Sequence, residues 1–170
     1  MGRQAEASFL DWLAINRDGL RKTAYLLCGD WHLADDLVQD ALTRLFGVWG
    51  RVSDSGNPGP YTRKILVNLY LDHRRRPSRR EIPQAQLPDT PDAGSANGVD
   101  GDRERLIRAL RQVPDGQRAV LVLRYWEDLS IEQTAQILRT STSNVRSQSS
   151  RGLDHLRAAL EPDSVTEEVL

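Results

Sequence analysis

The sequence predicts an all-α protein made of two small helical domains joined by a flexible linker. Apolar residues recur every three or four positions over most of the chain, as on one face of a helix, and no segment shows a convincing strand pattern. Between residues 77 and 101 this pattern stops, because four prolines and three glycines interrupt a stretch with almost no large apolar side chain. We therefore divide the chain into residues 1–76, 77–101, 102–160 and an acidic tail, 161–170.

Three amphipathic stretches in the N-terminal segment predict three helices, over residues 7–27, 33–49 and 60–76. Gly19 is a candidate break in the first. The second carries a broad apolar stripe made of Leu33, Leu37, Val38, Ala41, Leu42, Leu45 and Phe46. The third carries Tyr61, Ile65, Leu66, Leu69 and Tyr70. The glycine- and proline-rich sequence VSDSGNPGP predicts a loop between the second and third helices.

After the linker, helices are expected over residues 102–112 and 117–127, the latter capped by Asp115. Ser130 suits the N-cap of the next helix, and Gln133 three residues later completes a capping box. This helix buries a stripe formed by Ile131, Ala135 and Leu138.

A short turn, Arg139-Thr140-Ser141, then leads to a last helix that Ser141 can cap. Its inner face consists of Val145, Leu153, Leu156 and Leu160. Two capped helices joined by so short a turn predict a helix-turn-helix, with an ordinary helical hairpin as the alternative. The outer face carries side chains that can hydrogen-bond base edges or phosphates in a major groove: Asn144, Arg146, Ser147, Gln148, Ser150 and Arg151.

The composition, 39% hydrophobic and 28% charged, is that of a soluble globular protein. No apolar run approaches the roughly 20 residues that cross a bilayer, and the N-terminus lacks an apolar signal core, so we expect a cytoplasmic protein. The single cysteine, Cys28, has no disulfide or metal-ligand partner in the sequence. We expect it to be a small buried apolar residue, with redox sensing as the alternative.

The net charge of -1 hides an uneven distribution. The two helical segments carry net charges of +2 and +3, whereas the linker and the tail carry -2 and -4. Basic residues crowd the end of the third predicted helix and the start of the linker: Arg63, Lys64, Arg74, Arg75, Arg76, Arg79 and Arg80. Because the cluster is almost entirely basic, it favours binding to phosphates or to an acidic partner over the alternative of a solvated helix surface.

The face of the second helix opposite its apolar stripe is acidic and amide-rich, with Asp35, Asp36, Gln39, Asp40 and Thr43. Paired catalytic carboxylates, assisted by His32, would need a nucleophile and a pocket, and the sequence indicates neither. It also lacks the His and Cys residues of a metal site. We therefore predict no enzyme, no metal and no cofactor.

The ordered segments DDLVQDALTRLF, PYTRKILVNLYLDHRRR and VPDGQRAVLVLRYWEDLSIEQTAQIL, the last two separated by the linker, resemble the extracytoplasmic-function sigma factors of bacterial RNA polymerase. The actinobacterial sigma-E-like branch is the most similar, and the resemblance covers about residues 9 to 160. It implies that the N-terminal domain, region 2, binds the clamp helices of the largest polymerase subunit and opens the -10 promoter element. The C-terminal domain, region 4, is implied to bind the flap of the second-largest subunit and to read the -35 element.

The resemblance also implies roles for individual residues. It makes the acidic face of the second helix the contact with the polymerase clamp. It assigns the capture of a flipped base to the loop at residues 53–59, and -10 contacts to Asn57, Tyr61, Arg63, Lys64, Asn68, Arg74, Arg75 and Arg76. Each unstacked base that stacks on an aromatic ring returns about 1 to 3 kcal/mol. A place in the core is the alternative for both Tyr61 and Tyr70.

On the last helix the resemblance places -35 contacts at Arg146, Ser147, Ser150 and Arg151, flanked by Asn144 and Gln148. Three residues depart from the family pattern. Arg139 stands where a turn glycine is common, Ser149 stands where an apolar residue packs inward, and Gly152 interrupts the helix at a cost of about 1 kcal/mol relative to Ala. We therefore expect a weak recognition helix that polymerase and DNA help to order.

The linker is implied to thread through the active-site channel of the polymerase. It has four acids and no Lys or Arg from residue 81 to residue 101, which suits a basic channel, and a plain tether is the alternative. The predicted function is a promoter-specificity subunit that performs no chemistry, with core polymerase and promoter DNA as partners. An anti-sigma factor is a further candidate partner, on which the sequence is silent.

Two other interpretations stay open at this point. A stand-alone helix-turn-helix regulator would bind duplex DNA without polymerase, usually as a dimer, and the sequence shows no dedicated dimer helix. A helical adaptor that binds only proteins would leave Arg146 and Arg151 unexplained.

Overall fold

The computed structural model describes residues 2–76 and 98–161, and within these ranges the chain is helical and contains no strand. The predicted all-α class is confirmed. Most of the predicted linker, the acidic tail after residue 161, and the basic residues Arg79 and Arg80 lie outside the described residues. None of the helices in the described ranges is both long enough and apolar enough to span a bilayer.

Residues 2–76, here called the N-terminal half, contain four helices: α1 (Arg3–Cys28), α2 (Trp31–Gly47), the short α3 (Trp49–Asp54) and α4 (Pro58–Arg75). The C-terminal half consists of α5 (Gly98–Gln112), α6 (Asp115–Leu121), α7 (Ile131–Leu138) and α8 (Thr142–Leu160). Helix α6 continues directly into a π-helical turn, Val122–Trp126. Because α5 begins at Gly98, its first turn lies inside the predicted linker.

Gly19 does not break α1, which runs through it without interruption. The position is exposed, so the glycine lowers helix propensity there without ending the helix. Gly29 ends α1 instead, in the left-handed conformation (φ +69°), and its N–H donates to the carbonyl of Tyr25. Asp30 then caps α2 by accepting hydrogen bonds from the backbone of His32 and Leu33, so α2 starts two residues earlier than predicted.

The predicted loop VSDSGNPGP is largely helical, which corrects the sequence-based expectation. Its first residues belong to α3, because Trp49 and Val52 are buried against Phe9 and Leu45. Its last residues belong to α4, which begins at Pro58. The connection is therefore confined to residues 55–57, and the predicted base-reading loop at residues 53–59 is mostly helix.

Phe46 was predicted to belong to the apolar stripe of α2, but 42% of this residue is exposed.

The two halves are packed together through one apolar cluster that draws residues from both. The N-terminal half contributes Leu20, Ala24, Leu27, Leu66, Val67 and Tyr70, among others. The C-terminal half contributes Ala119, Val122, Leu123, Leu129 and Ile137. Of these residues, amphipathic periodicity placed only Leu66 and Tyr70 on a predicted apolar stripe, and it did not indicate that they are buried against the other half. The two predicted helical domains are therefore packed against each other in this structure, which is called the closed arrangement below.

A buried guanidinium, that of Arg118 on α6, lies within this interface. Only 6% of Arg118 is exposed. Its Nη1 donates to the carbonyl of Leu27 (2.7 Å) and to the hydroxyl of Tyr70 (3.2 Å). Its Nη2 donates to the carbonyls of Arg111 (2.9 Å) and Val113 (2.8 Å). A charge removed from water needs such partners, so the ends of α1, α4 and α5 are held around one side chain.

Asp115 is not the N-cap of α6, contrary to the prediction. Pro114 occupies the cap position and no side chain caps the helix. The carboxylate of Asp115 instead accepts hydrogen bonds from the Tyr70 hydroxyl (3.1 Å) and from Nε of Arg74 (3.0 Å). The carboxylate of Asp115 therefore binds Tyr70 and Arg74 on α4, although local sequence rules predicted that it would cap the start of α6. Burial raises the pKa of Tyr70, which keeps its hydroxyl protonated as a donor.

Gly152 does not interrupt α8, which is continuous from Thr142 to Leu160. A Cβ at this position would lie 3.1 Å from Cγ of Leu121 and 3.3 Å from Cβ of Gln117, both on α6. The absence of a side chain thus lets α6 and α8 approach closely. This packing role outweighs the local loss of helix propensity that the sequence indicated.

Two glycine-to-alanine substitutions should therefore have opposite effects on stability. Gly19→Ala removes a flexible residue from an exposed helix position with no atom within 4 Å, and we expect a gain of about 0.5 to 1 kcal/mol. Gly152→Ala forces a methyl group against α6, and we expect a loss of about 1 kcal/mol. Urea unfolding followed by circular dichroism measures both. A gain for Gly152→Ala would contradict the close-packing role.

Replacing Arg118 should destabilise the protein strongly. Arg118→Met keeps a long side chain but leaves the carbonyls of Leu27, Arg111 and Val113 without this donor, and we expect a loss of about 3 kcal/mol. The matched control is Arg157→Met, at an exposed arginine on α8, which should change stability by less than about 0.5 kcal/mol. Equal unfolding midpoints for the two variants would show that the guanidinium does not hold the halves together.

Candidate nucleic-acid interface

The helix-turn-helix predicted from the sequence is formed by α7 and α8. The capping box at its start is confirmed: Oγ of Ser130 accepts from the backbone N–H of Gln133 (3.0 Å), and Oε1 of Gln133 accepts from the backbone N–H of Ser130 (2.8 Å). Ser141 caps α8 by accepting from the backbone N–H of Asn144 (3.0 Å). Local hydrogen bonds therefore define where both helices begin.

The turn between α7 and α8 contains a strained residue. Arg139 adopts the left-handed conformation (φ 53°, ψ 50°), which costs a residue with a Cβ roughly 1 to 2 kcal/mol. The conformation brings Thr140 N–H to the carbonyl of Ala135 (3.0 Å) and closes α7. Arg139 thus adopts the left-handed conformation that a glycine would adopt at lower cost. The helix-turn-helix therefore forms without a glycine in its turn.

Helix α8 presents most of its predicted contact residues to solvent. Asn144, Arg146, Ser147, Ser150 and Arg151 are exposed. Gln148 is a correction, because it is half-buried and its buried amide oxygen has no partner among the described residues. The opposite face is anchored by Val145, which is fully buried beside Val120 and Ala135. The predicted inner residues Leu153, Leu156 and Leu160 are half-buried.

A cavity of about 340 Å³, lined by both polar and apolar side chains, lies beside α8, where Ser149 replaces an apolar residue of the family pattern. Ser149 is half-buried, and its hydroxyl lies 3.4 Å from that of Tyr125. Tyr125 and Trp126 are both more than half exposed. Arg146, Ser150 and Arg157 of α8 line the same cavity, together with Arg124 and Ile131.

The predicted -10 residues lie on α4, immediately before it or immediately after it. Asn57 is exposed at the N-cap position and makes no side-chain cap bond. Tyr61 is half-buried against the cluster of Phe9, Leu45, Trp49 and Val52, and Tyr70 is wholly buried, so Tyr70 is a core residue. Lys64 and Asn68 are half-buried, whereas Arg75 and Arg76 are exposed at the end of the helix.

Two arginines of α4 are engaged by carboxylates of the C-terminal half. Nε of Arg63 forms an ion pair with Glu127, which follows the π-helical turn. Nε of Arg74 forms an ion pair with Asp115 at 3.0 Å. Arg75 lies 3.8 Å from Asp72 on its own helix. The closed arrangement therefore brings together some of the predicted DNA-binding cations and acids from the other half.

The acidic face of α2 is exposed, as predicted, at Asp35, Asp36, Gln39, Asp40 and Thr43. Arg21 on α1 donates from Nε to Asp35 (2.6 Å), and this hydrogen bond lowers the pKa of Asp35. The same guanidinium lies 4.2 Å from the ring centroid of Trp31. A shallow cavity of about 250 Å³ beside this face is lined by Leu33, Asp36, Leu37, Gln39, Asp40 and His73.

Cys28 is buried, as predicted, and burial raises the pKa of its thiol to about 11. A thiol with so high a pKa is scarcely ionised near neutral pH, which disfavours the redox alternative.

The sequence reasoning missed the residues that join the two halves: Asp115, Arg118 and Glu127. The available signal was an arginine followed directly by the apolar run Ala119-Val120-Leu121, and an isolated acid in a segment of positive net charge. Neither signal identifies a partner, since the partners are about 40 to 90 residues away in sequence.

Comparisons with known proteins agree with this architecture. Residues 13–80 match the family described as Sigma-70 region 2, and residues 103–156 match Sigma-70, region 4. The RNA polymerase sigma-E factor of Streptomyces coelicolor is 34% identical over 152 residues, which cover 89% of this chain and 85% of the relative. The ECF RNA polymerase sigma factor SigW of Bacillus subtilis is 22% identical over 166 residues, covering 90% of this chain and 89% of that protein.

Among solved structures, the sigma factor RpoE of Bartonella quintana, crystallised with the anti-sigma factor NepR, has a similar fold. Its TM-score is 0.66 at 24% identity, and the match covers 92% of this chain and 98% of RpoE. The chain belongs to the extracytoplasmic-function family of RNA polymerase sigma factors. It therefore directs promoter-specific transcription initiation, which favours this interpretation over a stand-alone regulator.

Proposed function

We propose that this sigma factor reads the -35 element with α8, contacts and helps to open the -10 element with α4, and binds the polymerase clamp with the acidic face of α2. The observation that carries the proposal is the exposed polar face of α8, projecting from a helix-turn-helix whose two helices both have side-chain caps. Such a helix fits a major groove, and its first turns face the base edges.

The proposed -35 contacts are Asn144, Arg146, Ser147, Ser150 and Arg151, with Gln148 in a supporting position. Arg146 and Arg151 supply guanidinium groups for guanine edges or phosphates. The side chain of Asn144 is already oriented, because its Nδ2 donates to the hydroxyl of Thr140 (2.8 Å). The continuity of α8 through Gly152 supports a recognition helix that is folded before it meets DNA.

The proposed -10 contacts are Asn57, Tyr61, Arg63, Lys64, Asn68, Arg74, Arg75 and Arg76. All but Asn57 lie on α4 or directly after it. A DNA strand along this helix would meet Tyr61, then the cations Arg63 and Lys64, then Asn68, and finally the three arginines at the helix end. Asn57, exposed just before α4, is the proposed base reader in place of the wider loop.

We also propose the domain division at residues 1–76 and 102–160, function without chemistry of its own, and a cytoplasmic location, where the polymerase works. The flap of the second-largest polymerase subunit is the proposed partner of the C-terminal half. An anti-sigma factor remains a prediction for this chain.

Alanine substitution on α8 tests the -35 assignment. The full chain is added to actinobacterial core polymerase on genomic promoter fragments, and run-off transcripts are quantified. Arg146→Ala and Arg151→Ala should each reduce promoter-specific transcripts about ten-fold, since a good base contact contributes about 1 to 3 kcal/mol. Arg157→Ala, at an exposed arginine later in the same helix, is the matched control and should initiate normally. A specific gel shift by the protein alone, without core-dependent initiation, would contradict the proposal.

Charge reversal on α2 tests the polymerase contact separately from DNA binding. Asp36→Lys combined with Asp40→Lys should weaken binding to core polymerase at least ten-fold, since like charges across an interface cost several kcal/mol. The control pair, Asp11→Lys with Asp18→Lys, makes the same charge change at exposed positions of α1. Fluorescence anisotropy of labelled full chain against core polymerase measures both. Equal affinities for the two pairs would remove α2 from the interface.

A further inference from the structure

We propose that Asp115 and Glu127 act as internal substitutes for DNA phosphates: they hold Arg74 and Arg63 of α4 and keep the free sigma factor in a closed, DNA-refractory form. This inference rests on the proposed role of α4 in -10 binding and adds a mode of regulation to it. Carboxylates and phosphates compete for the same guanidinium donors in similar geometries. An intramolecular carboxylate therefore must be displaced before DNA can bind these arginines.

Glu127 is held in position for this role. One carboxylate oxygen pairs with Nε of Arg63, and the other accepts a hydrogen bond from the hydroxyl of Thr23 on α1. Trp126 donates from its indole N–H to the same hydroxyl (3.1 Å). The carboxylate side chain is only 11% exposed, so water screens this pair less than an ordinary surface pair.

Asp115 makes an equivalent contact at the other end of α4. One oxygen accepts from Nε of Arg74 and the other accepts from the buried hydroxyl of Tyr70. Tyr70 in turn accepts from Arg118, so the Asp115–Arg74 pair is continuous with the network that joins the halves. The two contacts span α4 from Arg63 to Arg74, three turns apart, and both acids come from the C-terminal half.

The closed form is also incompatible with reading two promoter elements at once. The -10 and -35 elements are separated by about 25 base pairs, which is roughly 85 Å at 3.4 Å per base pair. Packed helices lie only about 8 to 10 Å apart, and α4 packs directly on α6 and α7. The halves must therefore separate for function, and separation breaks both ion pairs and frees both arginines for DNA.

The decisive variant is Asp115→Asn combined with Glu127→Gln in the full chain. It keeps the side-chain shapes and one acceptor oxygen in each residue, but it replaces the second oxygen with an NH2 group and removes both charges. Loss of two partly exposed pairs should raise the ratio of open to closed protein about five- to thirty-fold. The matched control is Asp154→Asn with Glu161→Gln, which changes the net charge equally at two exposed positions, of which Asp154 pairs with Arg157 on its own helix.

Two readouts are needed. Energy transfer between dyes on Ala14→Cys and Ala158→Cys, exposed positions on α1 and α8, reports the separation of the halves, and the buried Cys28 does not compete for label. Anisotropy of a fluorescein-labelled 20-nucleotide oligothymidine reports access to the cations of α4. We expect lower energy transfer and about five- to thirty-fold tighter oligothymidine binding for the test variant, with wild-type values for the control.

Unchanged energy transfer with an affinity no higher than that of the control would overturn the proposal. Adding Arg63→Ala and Arg74→Ala to the opened variant distinguishes this failure from failure of the proposed function. If the gain in affinity disappears, the two arginines bind DNA, and the proposal that Asp115 and Glu127 block them is supported. If the opened variant binds as tightly without Arg63 and Arg74, these arginines do not bind DNA, and both the -10 assignment and the proposal that the acids block them are wrong. The energy-transfer result would still show that Asp115 and Glu127 hold the halves together.

A charge exchange guards against misfolding of the neutralised variant. Arg63→Glu combined with Glu127→Arg should restore the ion pair and the energy transfer, whereas Glu127→Arg alone should open the protein. Equal energy transfer in these two variants would show that the pair does not control closure. Circular dichroism confirms helicity in each case.

Discussion

The closed structure depends on one buried charge, the guanidinium of Arg118. Its four hydrogen bonds reach the end of α1, the end of α5 and Tyr70 on α4, so three helices from both halves are held at a single point. Burying a guanidinium is costly unless acceptors replace water, and here both Nη atoms have acceptors whereas the buried Nε has none among the described residues. The apolar cluster around it supplies the buried apolar surface between the halves, and the hydrogen bonds of Arg118 restrict how the halves can pack together.

The functional surfaces lie on the outside of this arrangement and differ in how freely they face solvent. The -35 face of α8 and the acidic face of α2 are exposed, whereas α4 is partly covered by the half that it must leave in order to function. The proposed closure needs an interface that forms in the free protein and opens on the polymerase. An interface held by one buried cation and two partly exposed ion pairs is stable enough to close and weak enough to open.

Local chemistry explains which sequence-based predictions were confirmed. The capping box at Ser130 and the cap at Ser141 depend on residues three positions apart, so the sequence contains all of the necessary information. Predictions were wrong where a distant residue competed for a side chain or a space. Asp115 left its helix end for Tyr70 and Arg74, residues 49–54 became helical because Trp49 and Val52 are buried, and Gly152 serves the contact between α6 and α8.

The sequence by itself determined most of the helices, the helix-turn-helix and the family, because periodicity, caps and ordered motifs are written in consecutive residues. It also determined most members of the candidate site, since the polar face of α8 and the acidic face of α2 follow from helical spacing. Only the tertiary structure decided that the halves are closed on each other and that Arg63 and Arg74 face Glu127 and Asp115. Those contacts join residues 41 or more positions apart, and no local rule relates such residues.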